Sequence, residues 1–385
     1  MRILFVISDS TARGGTEIVA FNIIHKLQEL GMECALLSRY QYTGEDPCVL
    51  NMGEEERERY WSILQNPINK LTGGKLSDVF FKKIVYRFAT ELDVDWIINH
   101  TYDLCAAIPM NGRWQTAQVL HWSIIGYEKS VLSNIRKEEL PYRILSRISL
   151  SQNLRRWRKA LTSFSRIICL TKTANSEIIN AGIFENEVRL STIPNPILHS
   201  SPSDKISNLL NNNIIFVGRL SQEKGVLRLL RIWERISRTL NDVTLSIYGE
   251  GSAQNEMEKH IQDHHIERVH FLGFSHKLED IYTTADLCLM TSDTEGFGMV
   301  LIEAMYYGVP CISFDCPISP KEVILDAGVI VPCFDEDMYA KEVVDLYLDK
   351  ERMSSLQSKA VKRASDFYID KIIRRWADLL YSNQQ

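Results

Sequence analysis

The sequence has no Cys-x-x-Cys pair, although it holds eight cysteines: Cys34, Cys48, Cys105, Cys169, Cys288, Cys311, Cys316 and Cys333. They are scattered, and several sit in apolar runs such as Leu287 to Met290. That weighs against a zinc or disulfide framework and for buried, reduced thiols. Nor is there an apolar stretch of the ~20 residues a membrane-spanning helix needs. The apolar start, Met1 to Ile7, is brief and is followed by Asp9 and Arg13, which does not suit a signal peptide. A cytoplasmic protein is expected. Positive charge is not in excess either: the formal net charge is −5. General nucleic-acid binding is therefore disfavoured, and any anion site must be local.

What is present is the pattern of a buried parallel sheet, given twice. With 385 residues the chain is longer than one core usually organises. Ile3 to Ile7 is a wholly apolar run, Ser8 to Gly15 a turn rich in small residues, and Thr16 to Leu30 a helical pattern stopped by Gly31. Cys34 to Leu37 is the next apolar run, which completes a βαβ unit. The pattern restarts with a strand at Ile214 to Val217 and a helix over Val226 to Leu240. Strands at Val243 to Tyr248, Val269 to Leu272, Leu287 to Met290 and Val309 to Phe314 then alternate with helices at Ala253 to Gln262, Leu278 to Thr284 and Met299 to Tyr307. Ile193-Pro194-Asn195-Pro196 is a stiff linker that no helix crosses. The spacing predicts an α/β chain of two Rossmann-like domains, 1–195 and 196–368, with a last helix from Ile369 to Tyr381 within 369–385. Open parallel sheets place ligands beyond their strand carboxyl ends, here in a cleft that the two domains are expected to face.

The segment richest in chemistry is Thr294-Glu295-Gly296-Phe297-Gly298-Met299-Val300-Leu301-Ile302-Glu303-Ala304-Met305. Glu295 lies in a glycine-containing loop after a strand, and Glu303 on the helix that follows. The helix start at Gly298 and Met299 offers unpaired backbone N–H groups to a hydroxyl or phosphate oxygen. Glu303 sits among apolar neighbours, where a carboxylate is costly without a strong donor. A core glutamate paired with an arginine or a backbone amide would have the same spacing. A second cluster, Phe216-Val217-Gly218-Arg219-Leu220-Ser221-Gln222-Glu223-Lys224-Gly225, places two cations between a strand and a helix. Fixed cations there could stabilise the charge on a departing diphosphate, although a solvated surface pair reads the same. Tyr248-Gly249-Glu250-Gly251 is a partial dinucleotide fingerprint, with Gln254 where the third glycine would stand.

Taken together, these segments resemble the family 4 retaining glycosyltransferases, which have the GT-B fold. Their signature of a glutamate, seven residues and a second glutamate is matched by Glu295 and Glu303. Gly308-Val309-Pro310-Cys311 through Ile324 looks like the same family's continuation, with Ser319 where bacterial members often have glycine. The resemblance implies that Glu295 approaches the donor sugar, that Glu303 hydrogen-bonds the nucleotide ribose, and that Arg219 and Lys224 hold the diphosphate. The partial fingerprint at Gly249 reads as a tight turn with close backbone approach to the donor, and the resemblance implies that Gly273-Phe274 and Leu278 form the loop holding the base. All three of the latter could equally pack internally. It is fainter in the first half. There Gly14, Gly15 and Thr16 look like the family's first loop, with Gly15 near the donor and Gly14 and Thr16 on the acceptor side. A plain turn before a capped helix fits those residues as well. His121 stands where relatives often place a histidine near the reacting carbon, and His100 could contact the acceptor; each could instead be structural.

The implied reaction is a metal-independent retaining transfer without a cofactor. Its substrates would be a nucleotide-sugar donor, UDP-sugar favoured, and a glycan or lipid-linked acceptor in cell-surface polysaccharide assembly. A nucleotide-sugar epimerase and a non-catalytic nucleotide-sugar-binding protein of the same fold are the alternatives. Nothing resembles a pyridoxal-phosphate lysine segment. From Leu140 to Ser176 there is no acidic residue, while basic residues recur from Arg143 to Lys172 and Ile144, Ile148, Leu154, Trp157 and Leu161 follow helical spacing. The basic face of 141–172 suits contact with an anionic membrane at its cytoplasmic side, the apolar stripe facing mostly inward.

Overall fold

The computed structural model describes residues 1–9, 15–40, 46, 48–71, 74–122, 151–152, 154–183 and 189–382. The chain divides into two compact units: Met1–Pro194 together with Ile373–Gln385, and Asn195–Ile372.

Unit 1 is built on a seven-stranded sheet of order β3-β2-β1-β4-β5-β6-β7. Its strands are β1 (Arg2–Asp9), β2 (Glu33–Tyr40), β3 (Val49–Leu50), β4 (Trp96–Asn99), β5 (Gln115–Leu120), β6 (Arg166–Cys169) and β7 (Leu190–Thr192), all paired in parallel. The helices are α1 (Gly15–Glu29), α2 (Glu54–Gln65), α3 (Pro67–Leu71), α4 (Lys75–Glu91) and α5 (Lys172–Asn180). Ile3 to Ile7 of β1 are all buried, as expected of a strand covered on both faces. Thr171 caps α5 by accepting a hydrogen bond from the Ala174 amide at 3.1 Å.

Unit 2 carries a six-stranded parallel sheet of order β10-β9-β8-β11-β12-β13. The strands are β8 (Asn213–Val217), β9 (Thr244–Tyr248), β10 (Val269–Gly273), β11 (Leu287–Met290), β12 (Cys311–Phe314) and β13 (Gly328–Val331). Around them run α6 (Val226–Ser237), α7 (Gln254–His264), α8 (Leu278–Thr283), α9 (Met299–Tyr306), α10 (Pro320–Ile324), α11 (Glu336–Leu348) and α12 (Lys350–Ala364). The last helix, α13 (Ile369–Tyr381), begins in unit 2 and has its residues from Ile373 onward in unit 1.

Local chemistry sets these boundaries. In α6, Val226, Leu229, Leu230, Trp233 and Ile236 recur at helical spacing and are all buried, while Arg231 and Arg235 on the other side reach Glu336. The strand expected over Val309 to Phe314 starts only at Cys311, since Pro310 has no N–H to give a ladder. The cysteine expectation needs one correction. Seven thiols are buried and free, but Cys333 is exposed because it lies in the turn after β13 rather than in a strand.

Candidate active site

In unit 2 the strand order reverses at β8: β9 and β10 lie to one side, β11 to β13 to the other. The switch between β8 and β11 is where an open parallel sheet offers a crevice beyond its strand carboxyl ends. Arg219 and Lys224 are in the loop that leaves β8 and Glu295 in the loop that leaves β11. The loops are stitched together. Thr291 Oγ1 donates to the Lys224 carbonyl at 3.0 Å, and the Asp293 amide to the Glu223 carbonyl at 2.8 Å. Gly225 allows this approach: its φ is +65°, and a Cβ would fall 2.0 Å from the Thr291 carbonyl oxygen.

The stitching brings charges together. Lys224 Nζ lies 2.7 Å from Glu295 Oε1, and Ser292 Oγ donates to the same oxygen at 2.6 Å. Glu295 is only 8% exposed, so this pair is largely shielded from water. Arg219 is exposed, and its guanidinium makes no hydrogen bond or ion pair among the described residues. Gly298 is the N-cap of α9 with φ +81°, and the amides of Met299 and Val300 have no intrahelical acceptor.

Glu303 is half-buried on α9. Its partner is neither an arginine nor a backbone amide: the phenol of Tyr282, on α8, donates to Oε2 at 2.9 Å. Burial raises the Glu303 pKa, while the Tyr282 hydrogen bond works against that rise. Phe274, expected in a base-holding loop, is 53% exposed and packs edge-on against His276, while Leu278 is half-buried at the first turn of α8. Gly249 has φ +135°, and a Cβ on it would fall 1.9 Å from the Gly218 carbonyl oxygen. The close approach it permits is to the loop after β8, so its first task is internal packing.

In unit 1 the order reverses at β1, with β2 to one side and β4 to the other. Gly15 and Thr16 open α1 just after β1, Gly15 exposed and Thr16 half-buried; Gly14 lies outside the described residues. His100 follows β4 and His121 follows β5. Their rings meet: His100 Nδ1 is 3.0 Å from His121 Nε2. Both are buried, and His100 also stacks on Trp376 of α13. Burial lowers the His121 pKa to about 4 and holds His100 well below its usual value, with the neighbouring His121 adding to the effect. Both imidazoles are neutral at physiological pH, and one ring must donate while the other accepts.

Of the basic segment 141–172, residues 141–150 and 153 lie outside the described residues. In the remainder Trp157 is 7% exposed, so it belongs to the core and is not available to a lipid surface. Arg156 reaches 2.9 Å from Asp78, which is also approached by Arg39 at 3.7 Å. Burial outweighs both cations and raises the Asp78 pKa to about 6. Sequence reasoning missed Ser292, Tyr282 and Asp78. Serine and tyrosine carry no distinguishing spacing there, and Asp78 interrupts an otherwise apolar helix face, the one signal available.

Comparison with known proteins agrees with the organisation of unit 2. Residues 203–363 match the family model for glycosyl transferases group 1. The chain is 27% identical over 219 residues to the amylovoran biosynthesis glycosyltransferase AmsD of Erwinia amylovora, across 56% of this chain and 62% of that protein. The match thus spans less than two thirds of that relative's length. An uncharacterized glycosyltransferase of Haemophilus influenzae is 24% identical over 386 residues, covering 98% of this chain and 99% of its own. Among solved structures, S. aureus TarM in complex with fondaparinux, α-GlcNAc-glycerol and UDP superposes with a TM-score of 0.72 at 14% identity, over 99% of each chain. The fold, two Rossmann-like parallel-sheet units, is that of the GT-B glycosyltransferases.

Proposed function

We propose that this chain is a retaining, metal-independent glycosyltransferase. It moves a hexose or N-acetylhexosamine from a nucleotide-diphosphate sugar to a glycan or lipid-linked acceptor in bacterial cell-surface polysaccharide assembly. The observation that carries this reading is the reversal point of unit 2, where Arg219, the Lys224–Glu295 pair and the Glu303 carboxylate follow β8 and β11. These residues all fall in the segment that matches the glycosyl transferases group 1 model.

Loss of a nucleoside diphosphate builds negative charge on the departing phosphate. Lys224 and the unpaired Arg219 stabilise that charge as fixed cations, the task a metal performs elsewhere. Glu295, with Oε1 held by Lys224 and Ser292, presents its other oxygen to the sugar hydroxyls. Glu303 takes the ribose. The α9 N-terminus at Gly298 and Met299 adds backbone donors. Phe274 and Leu278 are assigned to the base. Retention follows from same-face attack, with the departing phosphate accepting the acceptor's proton. The acceptor is assigned to unit 1: Gly15 and Thr16 open α1 after β1, and His100 and His121 meet beyond β4 and β5; the Gly14 assignment rests on the sequence alone. UDP is the favoured nucleotide because the TarM complex contains it.

Among the described residues no helix is long and apolar enough to cross a membrane. Work at the cytoplasmic membrane face, through basic residues of 141–172, is part of the proposal. The test is incubation with a panel of nucleotide sugars. Acceptor-dependent release of nucleotide is the expected result. An epimerised or free sugar without acceptor, or binding without turnover, would overturn it.

A further inference from the structure

The Glu303 carboxylate is held in an unusual way for a group meant to meet a ligand. It sits on α9 between the buried residues Leu301, Ile302, Ala304 and Met305, and burial works against its charge. The titratable groups facing it are Tyr282 from α8 and Tyr307 beyond the end of α9, and Tyr282 in turn faces Cys288 on β11 and Cys311 on β12. The Tyr282 phenol donates to Oε2 at 2.9 Å, and Oε1 accepts no hydrogen bond among the described residues. Tyr282 is itself fully buried and fixed by stacking on Tyr307, centroids 5.7 Å apart and rings 13° from parallel. The phenol therefore has little freedom, and what it orients is one carboxylate oxygen.

We propose that Tyr282 is a positioning residue for the nucleotide ribose. It fixes the Oε2 edge of Glu303 and turns Oε1 toward the vicinal diol, so that the pair makes the site selective for ribo- over deoxyribonucleoside diphosphates. This rests on the reading above that Glu303 meets the ribose. A diol offers two O–H donors and needs a carboxylate with free lone pairs. A protonated acid would offer one fewer acceptor and a competing donor. Tyr282 also belongs to the helix that begins just after the Gly273-Phe274 loop, so a base seated on that loop and a ribose on Glu303 would share one short element.

The test uses the full chain and measures the affinities of UDP and 2′-deoxy-UDP by calorimetry between pH 6 and 8. Their ratio cancels titration of the diphosphate itself. Wild type is expected to prefer UDP by roughly tenfold or more, evenly across this range. Glu303→Gln should abolish most of that preference. Tyr282→Phe, which keeps the stacked ring, should cut it by about threefold to tenfold, with the deficit growing toward pH 6 as the unassisted carboxylate takes a proton. The double variant should be no worse than Glu303→Gln alone, as expected of two groups acting through one contact.

Outcomes separate cleanly. A Glu303→Gln protein that still prefers UDP overturns the ribose reading itself. If Glu303→Gln loses the preference but Tyr282→Phe keeps it at every pH, Tyr282 only packs and the present inference fails. Should Tyr282→Phe not fold, Tyr307→Leu takes its place, since it removes the ring that fixes the phenol and keeps the phenol itself: an unchanged preference would show that the placement of Tyr282 does not matter.

Discussion

The two sheets reverse direction in the same manner, yet the chemistry at the two reversal points is opposite in kind. In unit 2 the crevice holds charge: the Lys224–Glu295 pair at 2.7 Å, Arg219 unpaired beside it in sequence, and Glu303 held by a phenol. In unit 1 the corresponding place holds two imidazoles 3.0 Å apart that burial keeps neutral. Topology supplies a place, and the loops decide what is done there. A charged crevice suits a substrate that brings phosphates. A neutral, shielded pair suits an uncharged hydroxyl compound, which matches the division into donor and acceptor halves proposed above.

The largest effects should come from breaking the charged side. On the proposed roles, Lys224→Ala removes one cation from the departing diphosphate, and Glu303→Ala removes the ribose contact. Each is expected to lower acceptor-dependent turnover by about 10²–10³-fold, beyond what its loss of melting temperature accounts for, since each also leaves a shielded partner, Glu295 or the Tyr282 phenol, short of one bond. Glu295 keeps its bond to Ser292 when Lys224 is lost, which limits the cost to the fold. Full activity in both variants would remove the basis for assigning unit 2 to the donor.

A second experiment turns on the neutral side. With His121 moved from an ordinary 6.5 to about 4, the unfolded chain binds protons that the folded chain refuses between those values. Stability is therefore intact above pH ~6.5 and is lost as pH falls toward ~4, by roughly 3 kcal/mol for a shift of this size. Asp78 works the other way, since its carboxyl is raised from 3.8 to about 6 and folding then favours the protonated form. Comparing wild type with His121→Gln removes the His121 contribution together with its share of the His100 shift. Denaturant midpoints at pH 7 and pH 4.5 should fall further in wild type than in the variant, and equal falls would mean that His121 is not buried neutral.

How much of this was legible in the sequence follows the same divide. In unit 2 the strand expected over Leu287 to Met290 has those bounds, and that over Val243 to Tyr248 begins one residue later. Strands buried on both faces are written as short apolar runs, and glycines mark their ends. In unit 1 much of the basic segment 141–172 lies outside the described residues, and α2 to α4 had no comparably plain signal. Glu295 and Lys224 stand out as separate motifs, but the bond between them joins residues 71 apart. The His100–His121 contact and the Tyr282 phenol were likewise invisible, because apolar periodicity fixes elements and says little about which polar tips meet.

A third, smaller difference concerns two buried tryptophans. Trp233 in unit 2 and Trp376 of unit 1 are both nearly inaccessible. The Trp233 indole N–H donates to the Glu267 carbonyl at 3.0 Å, whereas that of Trp376 is buried without a hydrogen-bond partner among the described residues. Replacing either by phenylalanine removes similar volume, but only the first change also breaks a hydrogen bond. Trp233→Phe should therefore cost about 1 kcal/mol more than Trp376→Phe, read from denaturant midpoints. An equal cost would mean that the Trp376 N–H is satisfied in solution.

The smallest effect separates charges that serve the crevice from charges that merely decorate a helix. Arg235 meets Asp337 at 2.7 Å, an aspartate almost fully exposed, and reaches Glu336 only at 3.4 Å, where Arg231 already holds the carboxylate, so the loss of Arg235 is largely compensated. Arg235→Ala should change stability by less than about 1 kcal/mol and leave turnover alone. Arg228, one turn from Lys224, is different. Its guanidinium donates to the Thr291 carbonyl at 2.8 Å and lies 2.8 Å from Asp293, both in the loop that carries Glu295. Arg228→Ala should loosen that loop and reduce turnover by more than it reduces the melting temperature would suggest. If Arg228→Ala and Arg235→Ala behave alike in activity, the β8 and β11 loops are held by their backbone contacts alone, and the charge pattern on α6 says nothing about the site.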